Sequence, residues 1–271
     1  MQRPTIGVFD SGFGGLTVLK ALLQLIPDAD YLYFGDTARL PYGSKSVETV
    51  ARYAVEAAHY LEAHGAQVLV IACNTATALA LDRIIAGTHV PVVGVVEPGA
   101  EAAASASKKK KVVVIGTEAT VSSHAYRRAL EARGVEAREK ACPLLVPLLE
   151  EGWIEHPVTE QVAGIYLAEA FADGFHDADA LVLGCTHYPL LKAVLRRAAP
   201  AHVSIVDSAE STARVVAGRL QGLLVSAAGE ERRRAPRIKF FATDSVEKFR
   251  RLGESFLGHP IENVEHVDLK E

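Results

Sequence analysis

The chain has 271 residues, of which 49% are hydrophobic and 23% are charged, an ordinary composition for a globular protein with one or two domains. Its net charge of −4 gives no basic excess, so nucleic acid is not expected as a partner. No apolar run approaches the roughly 20 residues that cross a bilayer, so we expect a soluble cytoplasmic protein without a membrane partner.

Short apolar runs alternate with stretches of helical periodicity from one end of the chain to the other. The apolar runs predict buried strands at residues 6–9, 31–34, 68–72, 92–96, 112–115, 180–183, 203–206 and 238–241. The periodic stretches predict helices at residues 16–25, 47–64, 75–86, 122–133, 158–172, 189–199 and 210–224. This alternation is typical of an α/β fold with mostly parallel sheets, in which ligands bind beyond the carboxyl ends of the strands.

An internal repeat links two of the predicted strand ends. Residues 68–75 (Val-Leu-Val-Ile-Ala-Cys-Asn-Thr) and residues 180–187 (Ala-Leu-Val-Leu-Gly-Cys-Thr-His) each join an apolar strand to a cysteine and then to residues that can cap a helix. At similar distances upstream, one strand ends at Asp10 and another at Thr117. A duplicated half-domain explains the repeat.

The repeat predicts two pseudo-symmetric three-layer α/β domains with the active site in the cleft between them. The first domain is discontinuous and comprises residues 1–98 and 207–271, whereas the second comprises residues 99–206. The Ala-rich and Ser-rich segment 100–111 is predicted to be the crossover from one domain to the other.

Two of the three cysteines are the candidate catalytic groups. A single free cysteine usually behaves as a small buried hydrophobe, but core packing gives no reason to repeat a thiol in the same context at Cys73 and Cys185. A thiol at a helix N-terminus is expected to ionise more easily. Two thiols on opposite walls of a cleft suit the inversion of a stereocentre, in which one group removes a proton and the other returns one to the opposite face. Cys142 lacks this context and is predicted to be a core or loop residue.

Polar residues at the same strand ends are candidates to assist the thiols and bind a substrate. We expect Asp10 to lie over Cys73 and His187 to lie beside Cys185, where each can relay protons or tune a thiol. Hydrogen-bond donors and acceptors for an amino acid are expected from Ser11, Asn74, Thr75 and Thr186. The spacings of the cysteines match no zinc site and no disulfide framework, so no metal is predicted.

The glycine-rich residues 11–16 (Ser-Gly-Phe-Gly-Gly-Leu) leave an alternative open. They fail the dinucleotide fingerprint and lack the Lys of a phosphate-binding loop, yet a nucleotide-binding domain with structural thiols remains a second hypothesis. A thiol hydrolase that uses Cys185 and His187 is a weaker one, because catalytic Cys/His pairs are normally distant in sequence.

Five segments together resemble the glutamate racemase family, within the broader group of aspartate/glutamate racemases. They are residues 9–15 (Phe-Asp-Ser-Gly-Phe-Gly-Gly), 35–44 (Gly-Asp-Thr-Ala-Arg-Leu-Pro-Tyr-Gly-Ser), 72–76 (Ala-Cys-Asn-Thr-Ala), 94–98 (Gly-Val-Val-Glu-Pro) and 184–190 (Gly-Cys-Thr-His-Tyr-Pro-Leu). The segments keep the family's order over the first 190 residues, and the resemblance thins beyond residue 210.

By this resemblance, Cys73 and Cys185 exchange protons with Cα of glutamate, Asp10 and His187 assist them, and neither pyridoxal phosphate nor any other cofactor is used. The resemblance places the following residues at the substrate: Asp10, Ser11, Pro41, Tyr42, Gly43, Ser44, Asn74, Thr75, Thr117, Thr120, Glu150, Thr186 and His187. It also implies that the enzyme supplies D-glutamate for bacterial peptidoglycan. An aspartate or other amino-acid racemase of the same fold stays open, as does assembly into a homodimer.

Overall fold

The computed structural model describes residues 3–224 and 234–269 of the chain. Over these residues the strands are β1 (Thr5–Asp10), β2 (Asp30–Gly35), β3 (Val68–Ile71), β4 (Val92–Gly94), β5 (Lys111–Gly116), β6 (Glu136–Ala141), β7 (Ala180–Gly184), β8 (Ser204–Asp207), β9 (Ile238–Ala242) and β10 (Val264–His266). The α-helices are α1 (Leu16–Leu25), α2 (Val47–Ala63), α3 (Asn74–Gly87), α4 (Val96–Ala106), α5 (Glu118–Ser122), α6 (Ala125–Glu131), α7 (Leu145–Glu150), α8 (Pro157–Ala170), α9 (Lys192–Ala198), α10 (Ser208–Leu224) and α11 (Val246–Leu257). Short 3-10 helices lie at Tyr42–Ser44 and Tyr188–Leu191. None of the described helices combines the length and the apolarity needed to cross a membrane.

The strands form two parallel sheets, which confirms the predicted fold class. The first sheet has the order β10-β9-β2-β1-β3-β4 and the second has the order β6-β5-β7-β8. Every described pair of neighbouring strands is parallel. The run β2-β1-β3-β4 matches β6-β5-β7-β8 strand for strand, so the repeat seen in the sequence is a repeat of topology. We call the elements built on each sheet the first half and the second half.

Helices cover both faces of each sheet. In the first half, α1, α10 and α11 pack on one face of the sheet, and α2 and α3 pack on the other. In the second half, α4 and α6 pack on one face, and α7, α8 and α9 pack on the other. The buried apolar positions of the strands therefore face helices on two sides, as the near-continuous apolar runs of the sequence require.

The helices α4 and α10 are exchanged between the two sheets. Helix α4 follows the last strand of the first repeat, but its residues Val96, Ala100 and Ala103 pack with Val112 and Val114 of the second sheet. Helix α10 follows β8 of the second sheet, yet it packs beside α1 on the first sheet. The predicted domain boundaries after residues 98 and 206 stay predictions, and the first of them falls within α4.

The segment predicted as the crossover between the halves does connect them, and most of it is helical. Residues 96–106 form the buried helix α4, and β4 ends at Gly94 rather than at Val96. Alanine is the strongest helix former, and Val96, Ala100 and Ala103 repeat at helical spacing, so this segment buries an apolar face. Strand β6 was not predicted, because its Glu, Arg and Lys residues suit an edge strand and hide its β pattern.

Candidate active site

A cavity of about 360 Å³ lies where the carboxyl ends of the two sheets face each other. Both Cys73, which follows β3, and Cys185, which follows β7, line it. The other residues of its wall are Ser11, Gly12, Leu40, Pro41, Tyr42, Gly43, Ser44, Asn74, Thr75, Thr117, Glu118, Cys142, Pro143, Val146, Pro147, Glu150, Glu151, Thr186 and His187. Of the site residues predicted from the sequence, Asp10 and Thr120 alone lie behind this wall; both are buried.

Cys73 caps the N-terminus of α3 with its sulfur. The Sγ atom accepts a hydrogen bond from the backbone N–H of Ala76 at 3.4 Å and donates one to the Ser11 hydroxyl at 3.5 Å. Burial raises the pKa of Cys73 to about 12, and the nearby Asp10 carboxylate adds to this rise. The expectation that the helix N-terminus makes this thiol easy to ionise is therefore wrong, because desolvation outweighs the amide contact.

Cys185 has a different local structure, although it follows the corresponding strand. The predicted helix at residues 189–199 is split into the 3-10 helix Tyr188–Leu191, which contains Pro189, and α9, which begins at Lys192. Cys185 therefore precedes a turn and does not cap an α-helix. Its Sγ atom instead faces the Nδ1 atom of His187 at 4.0 Å, in agreement with the predicted pairing of these two residues.

His187 is buried between the cavity and α11. Its Nε2 atom lies 3.6 Å from Oε1 of Glu150, and its ring meets the ring of Phe256 edge-on at 5.2 Å. Burial alone would lower the pKa of His187, but the contacts with Cys185 and Glu150 outweigh it and raise the pKa to about 10. The raised pKa favours the charged imidazolium form of His187, which lies beside the Cys185 sulfur.

Glu150, at the end of α7, joins His187 to a residue that the sequence did not single out. Its Oε2 atom accepts a hydrogen bond from Nζ of Lys248 on α11 at 2.9 Å. Burial would raise the pKa of Glu150, but the interaction with His187 and the hydrogen bond from Lys248 outweigh it and lower the pKa below its ordinary value. Sequence patterns gave no signal for Lys248, since 98 residues separate it from Glu150.

Asp10 bridges the two halves from behind the cavity wall. Its Oδ2 atom accepts a hydrogen bond from the backbone N–H of Gly12 at 3.0 Å, and its Oδ1 atom accepts one from the Thr186 hydroxyl at 3.4 Å. Burial raises the pKa of Asp10, and the charge of His187 partly offsets this rise. The predicted position over Cys73 is thus only part of its role, because its side chain reaches the strand end that carries Cys185.

Hydroxyl and amide groups from both halves meet where α3 begins, at Asn74 and Thr75. The Oγ1 atom of Thr75 lies 2.9 Å from that of Thr117 and 3.1 Å from that of Thr120. The Oδ1 atom of Asn74 accepts a hydrogen bond from the Tyr126 hydroxyl at 2.7 Å. Among the described residues, the Nδ2 atom of Asn74 has no hydrogen-bond partner, and Asn74 itself lines the cavity.

Two glycines allow the halves to approach closely at the cavity. A Cβ atom on Gly14 would lie 2.3 Å from Oγ1 of Thr186 and 2.6 Å from Nδ1 of His187. A Cβ atom on Gly43 would lie 2.7 Å from Cβ of Thr117. Gly14 of the glycine-rich loop therefore packs against the second half. This close contact explains the glycine at position 14 without a role in nucleotide binding.

Cys142 lines the cavity, although the sequence placed it in the core or a loop without a role. It follows β6, the strand that was not predicted, and its buried thiol has a pKa raised to about 12 by desolvation. Prediction of β6 would have placed Cys142 at the same sheet edge as the site. Among the described residues, no group of three or more His, Cys, Asp or Glu side chains is arranged to hold a metal ion.

Comparisons with known proteins agree over nearly the whole chain. A sequence model of the family described as Asp/Glu/Hydantoin racemase matches residues 6–216. A protein named glutamate racemase from Koribacter versatilis is 60% identical, and the alignment covers 99% of this chain and 98% of that protein. The structure of glutamate racemase from Francisella tularensis in complex with D-glutamate superimposes with a TM-score of 0.90 at 34% identity, covering 99% of each chain. The structure from Thermus thermophilus in complex with β-chloro-D-alanine gives a TM-score of 0.86 at 46% identity and covers 98% of each chain.

Proposed function

The chain belongs to the Asp/Glu/Hydantoin racemase family and is an isomerase, and we propose that it interconverts L- and D-glutamate without a cofactor by proton transfer at Cα. The observation that carries the proposal is that Cys73 and Cys185 follow corresponding strands of the two sheets and line one cavity. Inversion needs one acid/base group on each face of the carbon, and two thiols from opposite halves supply them. Glutamate is the substrate class favoured by the named relatives and by the D-glutamate complex.

The two thiols take opposite parts in the proposed reaction. In one direction Cys185, whose sulfur faces the imidazole of His187, acts as the base, and Cys73, whose pKa is raised by burial, acts as the acid. One enantiomer gives its Cα proton to the Cys185 sulfur, and Cys73 donates its own proton to the opposite face of the carbon. Turnover leaves a thiol at Cys185 and a thiolate at Cys73, and the reverse reaction restores the resting state.

Neutral donors bind the carboxylates of the substrate. None of the described residues that line the cavity is Lys or Arg, so the donors are the unpaired amide of Asn74 and hydroxyls such as those of Ser11, Thr75 and Thr186. As the Cα proton leaves, negative charge develops on the substrate, and donors fixed in a site that excludes water stabilise it. Asp10 holds the Thr186 hydroxyl in place from behind the wall.

Hydrogen exchange tests the proposal directly. Incubation of L-glutamate with the purified protein in D₂O, without added cofactor, should give racemic glutamate that carries deuterium at Cα. Mass spectrometry and chiral separation measure both changes. Absence of exchange and of racemisation would contradict the proposal, and a panel with aspartate and other L-amino acids separates glutamate from the alternative substrates.

Serine substitution tests the role of each thiol. Cys73→Ser and Cys185→Ser should each lower racemisation by about 10³-fold, because a hydroxyl replaces an acid/base group that acts in the transition state. Cys142→Ser is the matched control, since its thiol lines the same cavity without a place in the proposed reaction, and it should keep nearly full activity. Full activity in both Cys73→Ser and Cys185→Ser would refute the two-base assignment.

The proposal extends to the supply of D-glutamate for bacterial peptidoglycan in the cytoplasm. Membership of the racemase family and the proposed formation of D-glutamate support this role. Expression of the chain in a bacterium that needs D-glutamate for growth should remove the requirement, and expression of Cys73→Ser should not. The predicted homodimer is tested separately by light scattering of the purified protein.

A further inference from the structure

Helix α11 supplies two contacts to the group around Cys185. Lys248 donates a hydrogen bond to Glu150, and Phe256 packs edge-on against the His187 ring. The two residues are eight positions apart, a spacing that places them along one side of the helix. The matched family segment ends at residue 216, so α11 lies beyond it.

Successive contacts between polar side chains lead from Lys248 on α11 to the sulfur of Cys185. Nζ of Lys248 lies 2.9 Å from Oε2 of Glu150, and Oε1 of Glu150 lies 3.6 Å from Nε2 of His187. Nδ1 of His187 then lies 4.0 Å from Sγ of Cys185. Lys248 also lies over the ring of Phe13, 5.6 Å from its centre, which fixes the ammonium on the first half.

We propose that Lys248 is a positioning residue for proton transfer at Cys185, because it holds Glu150 against His187 and balances the charge of the group. This inference rests on the proposed function. The Lys248 ammonium pairs with the Glu150 carboxylate and offsets its negative charge beside His187. Without Lys248, the charge of Glu150 is less well balanced in a largely buried site, which opposes negative charge at the Cys185 sulfur during proton transfer. The Cys185 sulfur still gains and loses the substrate proton, and His187 keeps its own.

The exposure of Lys248 in its ion pair with Glu150 argues against a role of Lys248 in folding stability. The Lys248 side chain is 38% exposed, whereas that of Glu150 is 15% exposed. An ion pair with one solvated partner contributes little to folding stability. Loss of Lys248 should therefore leave the fold intact and change mainly the surroundings of Glu150 and His187.

The first test compares Lys248→Met with the conservative variant Lys248→Arg. Lys248→Met should lower kcat/KM for glutamate by about tenfold, the usual weight of a hydrogen bond to a charged group, and Lys248→Arg should restore most of it. Alkylation by iodoacetamide, followed by mass spectrometry, should be slower at Cys185 in Lys248→Met and unchanged at Cys73. Arg214→Met, which removes an exposed ion pair with Glu210 on α10, is the control and should change none of these values.

Deuterium isotope effects on the two enantiomers give the sharper readout. Racemisation in either direction uses the same two proton transfers in opposite order. In Lys248→Met, the isotope effect on kcat/KM should rise for the Cα-deuterated enantiomer that Cys185 deprotonates and fall for the other enantiomer. Equal changes for both enantiomers, or no change, would overturn the proposal.

A double variant completes the experiment. Because Lys248 acts through Glu150, Lys248→Met should cost little further activity in a Glu150→Gln background, whereas independent effects would add. Unchanged kcat/KM and Cys185 alkylation in Lys248→Met, with an active wild-type protein, would refute this inference alone. A wild-type protein that neither racemises glutamate nor exchanges its Cα proton would instead refute the proposed function.

Discussion

Cys73 and Cys185 occupy matching positions in the fold but face different neighbours. The Cys73 thiol donates to the hydroxyl of Ser11, while the Cys185 sulfur faces the imidazole of His187. The Ser11 hydroxyl is neutral, whereas the imidazolium of His187 carries a charge, so the two sulfurs have electrostatically different surroundings. The order of proton transfer proposed above follows from this difference in charge.

The charge of His187 predicts a pH dependence that Glu150 controls. The pKa of His187 is raised to about 10 from its ordinary value of 6.5. Under the proposed reaction, kcat/KM should therefore fall as the pH rises through about 10, where His187 loses its charge. Glu150→Gln removes a group that raises this pKa, so the fall should move to lower pH. Initial rates of racemisation across the pH range measure the shift, and an unchanged alkaline limb would contradict it.

The same protonation contributes to folding stability. Because the pKa of folded His187 lies above its ordinary value, the native protein holds the proton more tightly than the unfolded chain. This contribution is complete below about pH 6.5 and is lost as the pH rises through about 10. Glu150→Gln should therefore weaken this part of the pH dependence in urea unfolding.

The loop between β1 and α1 sets the distance between the halves. Gly14→Ala would place a methyl group 2.3 Å from Oγ1 of Thr186 and 2.6 Å from Nδ1 of His187. Something must shift, and a displacement of about 1 Å at a catalytic group can cost about 100-fold in rate. We expect a loss of that size in kcat/KM, measured by chiral assay.

Gly164→Ala is the matched control for Gly14→Ala. Gly164 lies within α8, and a Cβ atom there would meet nothing within 4 Å. The substitution should stabilise the protein by about 1 kcal/mol in urea unfolding, because alanine favours the helix, and it should leave activity unchanged. Equal activity of both glycine variants would show that the close approach at Gly14 is not required.

The sequence predicted those elements whose pattern is determined by burial on both faces. Strands such as β3 and β7 are fully buried and appear as apolar runs, so their ends and the two catalytic candidates could be located. Edge strand β6 carries charged residues because one side faces solvent, and it escaped prediction together with the cavity residue Cys142. Lys248 could not be found either, since its contact with Glu150 arises only when α11 returns to the first half.

The two halves are joined by polar contacts at the cavity as well as by exchanged helices. The Tyr126 hydroxyl of the second half donates to Oδ1 of Asn74 in the first half, at 2.7 Å. This contact orients the amide, whose Nδ2 group has no hydrogen-bond partner in the described part of the chain. If Asn74 binds the substrate as proposed, binding should depend on Tyr126, which lies outside the cavity wall.

Tyr126→Phe tests this dependence. The substitution keeps the buried ring and removes the hydrogen bond, whose net contribution is about 1 kcal/mol. KM should therefore rise about fivefold, while kcat changes little, because the amide binds substrate and transition state alike. Steady-state kinetics measure the two constants, and Asn74→Ala, which should raise KM further, gives the comparison. An unchanged KM in Tyr126→Phe would show either that Asn74 does not bind the substrate or that Tyr126 is not needed to orient Asn74.

The reciprocal packing of α4 and α10 has the geometry of a domain-swapped dimer whose two protomers have become one chain. In a dimer of identical protomers, any substitution beside one thiol would also appear beside the other. A single continuous chain removes this restriction, so His187 can stand beside Cys185 while Ser11 stands beside Cys73. Fusion therefore lets a pseudo-symmetric fold give its two thiols different chemical surroundings.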